Sequence, residues 1–189
     1  MTTTDRERLD YVALGDSYTI GTSVDPSSTW PAQLVEVLDR GAGSGTRLRL
    51  VANLGVNGYT SGELIRDELP ELGRLRPEFA SLQIGVNDVV RGIGAASYEA
   101  NLGTIFEALL AYLPADRIVT VGIPDYTVTP RGAAFGDPRQ QSDEIARFNT
   151  IMAGAAADRG IRNIETFDLS RRADIALVAE RLRDVVVRP

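Results

Sequence analysis

Residues 11–19 read Tyr-Val-Ala-Leu-Gly-Asp-Ser-Tyr-Thr, an apolar stretch that runs straight into Gly15-Asp16-Ser17. A serine on a tight turn at a strand end is placed as a nucleophile, and Gly15 permits such a turn because it accepts backbone angles that other residues avoid. A serine hydroxyl stays a weak nucleophile until a positioned base takes its proton. Histidine is the residue that most often supplies that base, and the chain contains none. The sequence therefore points to a chemistry and lacks one part of it.

Two further segments could complete a site for acyl transfer. Asn53-Leu-Gly-Val-Asn-Gly58 and Gly85-Val86-Asn87-Asp88 each follow an apolar run, as Gly15-Asp16-Ser17 does. A tetrahedral intermediate needs donors aimed at its oxyanion, and backbone N–H groups and Asn amides are the usual suppliers. Gly58 offers an unobstructed N–H, Asn87 a side-chain amide, and Ser17 its own N–H. Taken singly, Asn57-Gly58 reads as a turn and Asn87 as a capping residue. Their order, each behind a strand of one parallel sheet, puts all three on the same sheet edge. Asp16 and Asp88 are expected to brace their loops by hydrogen bonds, and Tyr18 and Trp30 to be wall or packing residues near the site.

The elements that must position these residues follow from alternating apolar runs and helical patterns, which indicate βαβ units and a parallel sheet. Strands are expected at residues 10–15, 47–53, 79–85, 117–123 and 161–167, short and rich in Val, Ile and Leu as doubly buried strands are. Helices are expected from Pro31 to Arg40, Ser61 to Leu69, Ser97 to Tyr112, Gln141 to Asp158, and over about 172–187. Leu102, Ile105, Phe106 and Leu109 recur at helical spacing, as do Ile145, Phe148 and Met152. In the last helix the same face holds Ile175, Val178, Leu182 and Val185. Gly41 to Gly45 reads as a flexible turn. Residues 124–139 form a long connection after the fourth strand, where open α/β sheets place ligands.

Gly-Asp-Ser near the N-terminus, the Gly of the Asn-Gly turn, and Gly-x-Asn-Asp after the third strand resemble the SGNH superfamily of GDSL-type ester hydrolases. The matched blocks span residues 11–92. The resemblance implies that Ser17 is the nucleophile and that Gly58 and Asn87 complete the oxyanion hole. It also implies a flavodoxin-like three-layer α/β/α sandwich on a parallel five-stranded sheet, one domain over residues 1–189, and no metal or cofactor. The implied substrates are small carboxyl esters: acetylated sugars, aryl or short-chain acyl esters, or lysophospholipids.

The same family carries Asp-x-x-His near the C-terminus, the His as base and the Asp to orient it. Nothing here matches. Asp168, read as the end of the fifth strand, is followed three residues later by Arg171, and Asp174 by Leu177. The loop that would carry the base is missing between about residues 173 and 182. Three explanations compete: a segment omitted from the sequence, a deletion, or a natural protein that works without histidine. Loss of a triad member leaves only about 10³–10⁴-fold catalysis over water.

Composition narrows the remaining choices. With 189 residues the chain fits one domain, and its net charge of −6 lacks the basic footprint of a nucleic-acid binder. Every one of the 20 cationic residues is Arg, which reads as codon bias. The absence of Cys and His excludes disulfides and thiolate sites and argues against a transition-metal site. No apolar stretch is long enough to span a bilayer, and the first ten residues hold no signal core, so the expected location is cytoplasmic. Oligomeric state is not legible. A binding module that keeps the pocket without turnover is the competing reading. A flavodoxin-like phosphate or flavin binder is disfavoured, because the first loop lacks a phosphate cradle and no P-loop is present.

Overall fold

The computed structural model describes residues 8–40, 46–130 and 132–171. Five strands form one sheet: β1 (Arg8–Gly15), β2 (Arg47–Asn53), β3 (Phe79–Gln83), β4 (Ile118–Val121) and β5 (Arg162–Ile164). All neighbours pair in parallel, in the order β2-β1-β3-β4-β5. This is the flavodoxin-like order, with its topological switch point between β1 and β3. The expected α/β class and five-stranded parallel sheet are what the chain forms.

The alternation along β1 shows why the sheet is covered on both faces. Leu9, Tyr11 and Ala13 belong to one core cluster, with Leu34 and Leu38 of the helix α2 (Trp30–Arg40). Val12 and Leu14 belong to the other, with Leu102, Ile105, Phe106, Ile145 and Phe148. Those residues lie on α6 (Ala95–Leu110) and α7 (Pro138–Ala157). Successive strand residues point to opposite faces, so a strand apolar at every position must lie between two layers. Tyr98 stacks on Phe148 at 4.5 Å between ring centroids and ties α6 to α7.

Several short elements were not foreseen. They are α1 (Ser17–Ile20), α4 (Leu72–Leu75), α5 (Val86–Val90) and α8 (Phe167–Arg171), with α3 (Ser61–Asp67) close to its expected span. Thr60 caps α3: its hydroxyl and the Glu63 carboxylate form a reciprocal capping box. The fifth strand is shorter than expected. It pairs only with Val119, Thr120 and Val121, and Asp168 lies in α8 instead of ending the strand. The long connection of residues 124–139 contains two 3-10 turns, Tyr126–Val128 and Gly132–Phe135, and gives way to α7 at Pro138, capped by Asp137. The expected turn at 41–45, the expected helix over 172–187 and the missing-loop region at 173–182 lie outside the described residues.

Candidate active site

Ser17 is the first residue of α1, directly after β1. The side chain of Asp16 caps that helix, its Oδ1 accepting the N–H of Tyr18 at 2.9 Å. Gly15 has φ +151°, and a Cβ there would lie 2.1 Å from the carbonyl oxygen of Gln83 and 2.4 Å from Thr19 Oγ1. No other residue fits this turn. Ser17 is half-buried, and as the first helical residue it has an N–H with no intrahelical partner. No acceptor for that N–H is found among the described residues.

The second loop is bolted onto this turn. Val56 N–H donates to the Gly15 carbonyl at 3.1 Å, and Asn53 Nδ2 donates to the Thr19 carbonyl at 2.7 Å. Val56 to Tyr59 closes as a turn with a 3.2 Å bond between its ends. Gly58 within it has φ +84°, a left-handed conformation, although a Cβ would have room, 3.5 Å from the nearest Arg91 nitrogen. Its carbonyl is held by the Arg91 guanidinium at 2.6 Å, and its N–H is free of acceptors among the described residues.

The third loop carries α5. Asn87 Nδ2 donates to the Tyr59 carbonyl at 2.9 Å, so one of its two amide hydrogens is spent on fixing the second loop and the other is unspent. Asp88 is fully buried and accepts both the N–H of Ser61 at 2.9 Å and its hydroxyl at 2.5 Å. That brace joins α5 to the start of α3, as expected of Asp88; Asp16 braces its own turn likewise. Trp30 packs against the second core cluster, and its Nε1 donates to Gln83 Oε1 at 2.9 Å. Tyr18 is half-buried against the main core.

Beneath Ser17 the electrostatics are unusual. Burial, with a smaller push from Asp88, raises the Asp16 carboxyl to about 7 against the bond from Tyr18 N–H. Burial raises Glu68 to about 9 against its bond from Gly15 N–H, and Asp16 adds to the rise. Asp88 is raised as well, chiefly by burial. Three acids therefore back the turn with little compensating positive charge.

Sequence reasoning missed Glu68 and Asp125. Asp125 is buried in the 124–139 connection, where it accepts from Thr127, from Ser142 of α7 at 3.0 Å and pairs with Arg171 of α8 at 3.4 Å. Asp-x-Thr was a readable turn signal there; nothing in the sequence marked Glu68. A cavity of about 310 Å³ opens further along the same edge, lined by Asn149, Thr150, Asn163, Glu165 and Asp168 among others. Ser17, Gly58 and Asn87 do not line it. Among the described residues, no group of three acidic side chains is placed to hold a metal, and no helix is long and apolar enough to cross a membrane.

A family model for the GDSL-like lipase/acylhydrolase family matches residues 13–185. The chain belongs to that family. No curated protein matches it. Solved structures of the same fold include a lipolytic protein of the G-D-S-L family from Desulfitobacterium hafniense DCB-2, at 15% identity and TM-score 0.69, covering 93% of this chain and 98% of that one. An aspartate-to-alanine mutant of the esterase AlinE4 is 27% identical at TM-score 0.62, covering 89% of this chain and 81% of that one. A catalytic serine-to-alanine mutant of Axe2, an acetylxylan esterase from Geobacillus stearothermophilus, is 15% identical at TM-score 0.67, covering 94% and 91%. Family and neighbours place the chain among the carboxylic ester hydrolases.

Proposed function

We propose that the protein cleaves small carboxyl esters through an acyl-enzyme on Ser17. What supports this reading is that three spare donors lie on loops hydrogen-bonded to one another around the turn that carries the half-buried Ser17. They are the N–H of Ser17, the N–H of Gly58 and the second amide hydrogen of Asn87, all on loops cross-bonded at the switch point. Ser17 Oγ bonds to the ester carbonyl carbon, the carbonyl oxygen gains charge against those donors, and the alcohol leaves. Water then attacks the acyl-enzyme and releases the acid. No imidazole is present, so hydroxide from the solvent carries off the serine proton, and the water formed returns one to the leaving alkoxide. Turnover is slow on this route.

The rim favours uncharged, apolar substituents on the ester. Ile20, Val24, Val56, Val90, Val128 and Phe135 are exposed, and all sit on segments that leave the carboxyl ends of the strands. Exposed apolar side chains on the edge that carries Ser17 support such a preference.

The absence of histidine supports a second reading, a family member that binds an acylated ligand without turning it over. A fluorophosphonate separates the two. Intact mass should rise from 20.4 kDa by one phosphonyl group in the parent protein and stay unchanged in Ser17→Ala. A parent protein that never labels is a binding module.

A further inference from the structure

Glu68 caps the C-terminal end of α3, in Arg66-Asp67-Glu68, a stretch whose composition suits an exposed helix end. Arg66 and Asp67 behave that way and pair with each other in solvent. Glu68 instead is 2% exposed. Its Oε2 accepts the N–H of Gly15 at 2.9 Å, and its Oε1 is buried without a hydrogen-bond partner among the described residues. The charged groups that act on it are Asp16 from the nucleophile turn and Asp67 from its own helix, and both are acidic. An unmatched buried polar atom is costly, and neither neighbour offsets that cost. Fold stability alone gives no reason for a carboxyl at this position.

Gly15 supplies the reason. Its carbonyl is taken by Val56, and the space on its Cα is closed by Gln83 and Thr19. Its N–H is the remaining handle on the turn, two residues before Ser17, and among the described residues only Glu68 holds it. We propose that Glu68 is a positioning residue for the nucleophile: through the Gly15 N–H it fixes the turn that presents Ser17. The proposal rests on the serine-hydrolase reading. Burial keeps Glu68 a neutral acid up to about pH 9; above that, a second negative charge faces Asp16 and the turn loosens.

The test is fluorophosphonate labelling of Ser17, read by peptide mass from about pH 6 to about pH 10, in the parent, Glu68→Gln and Glu68→Leu. Glu68→Leu removes the acceptor and should slow labelling roughly ten- to a hundred-fold, as misplacement of a reacting group does, in a protein that still melts cooperatively. Glu68→Gln keeps an acceptor oxygen and no titratable proton. It should restore the rate at neutral pH and abolish the bend in the pH profile near 9 that the parent shows. A folded Glu68→Leu that labels at the parent rate, or a bend that survives in Glu68→Gln, overturns the proposal. Should Glu68→Leu fail to fold, the Gly15 amide resonance decides. It titrates near pH 9 in the parent and not in Glu68→Gln; a flat parent titration overturns the assignment. A parent that never labels at Ser17 overturns the hydrolase reading and this role with it. A labelled parent with unaffected variants overturns the role alone.

Discussion

The chain lacks histidine, cysteine and lysine, so between about pH 5 and pH 9 only the terminal amine titrates among its ordinary groups. Any pH dependence of stability in that window reports on buried carboxyls. Asp16 goes from 3.8 to about 7 on folding and Glu68 from 4.5 to about 9. Both folded-state values are raised, so the native state holds protons that the unfolded chain has released. The stabilisation tied to those protons is complete below about pH 4 and is lost as pH rises through 7 for Asp16 and 9 for Glu68. Each proton held contributes up to about 1.4 kcal/mol per pH unit. With both held, stability should fall by up to about 3 kcal/mol per unit between about pH 5 and 7, and by about half that from there to 9. Buried Asp88, raised as well, adds with the same sign.

Those slopes are upper bounds, because local opening lets a buried acid ionise before the whole domain unfolds. They are nevertheless large beside a typical total of about 5–15 kcal/mol. Urea melts at pH 5.5, 7 and 9 should show a midpoint that falls steadily at constant m-value. Asp16→Asn, which keeps a capping oxygen, should flatten the limb below about pH 7. Glu68→Gln should flatten the limb between about pH 7 and 9. A midpoint that stays level or rises from pH 5.5 to 9 refutes the reasoning, because it would mean that these acids are ionised in the folded protein.

Two further predictions bear on the reaction. Asn87→Ala should lower kcat on an activated aryl ester by about 10²–10³-fold, with a smaller loss of stability from the lost Tyr59 bond, seen as a few degrees in Tm; a kcat within about twofold removes Asn87 from the oxyanion site. Without an imidazole, log kcat/KM should climb with pH at a slope near one from about pH 6 to 8.5, with no plateau near 7, and added imidazole should accelerate the Ser17-dependent rate; a plateau near pH 7 and indifference to imidazole would mean that a protein carboxylate serves as the base.

The sheet was readable because a strand buried on both faces has little choice of composition, and parallel strands must all present their carboxyl ends on one edge. Ser17, Gly58 and Asn87 follow three such strands, so the sequence placed them together before any geometry was known. The helices that hold two of them were not readable. α1 and α5 are four and five residues long, too short for a 3.6-residue period, and α1 is closed by local caps at Asp16 and Gly21. The start of α7 had a signal, Asp137 before Pro138, that the length of the 124–139 connection hid. The fifth strand ended early because β4 offers it only three partners and because Thr166 turns its hydroxyl onto the Gly122 carbonyl at 2.6 Å.

Glu68 marks the limit of such reading. Its neighbours in sequence, Arg66 and Asp67, signal a solvated helix end, and composition cannot show what another segment will lay across a side chain. What buries it is the turn at Gly15, some fifty residues earlier in the chain. The same contact that makes Glu68 illegible ties it to the nucleophile: a carboxyl that stays neutral there gives up a favourable charged state in water for one backbone N–H. If stability falls with pH as worked out above and Glu68→Gln straightens the upper limb, the cost of that exchange is measured directly. The labelling series then shows whether the reactivity of Ser17 depends on the same contact.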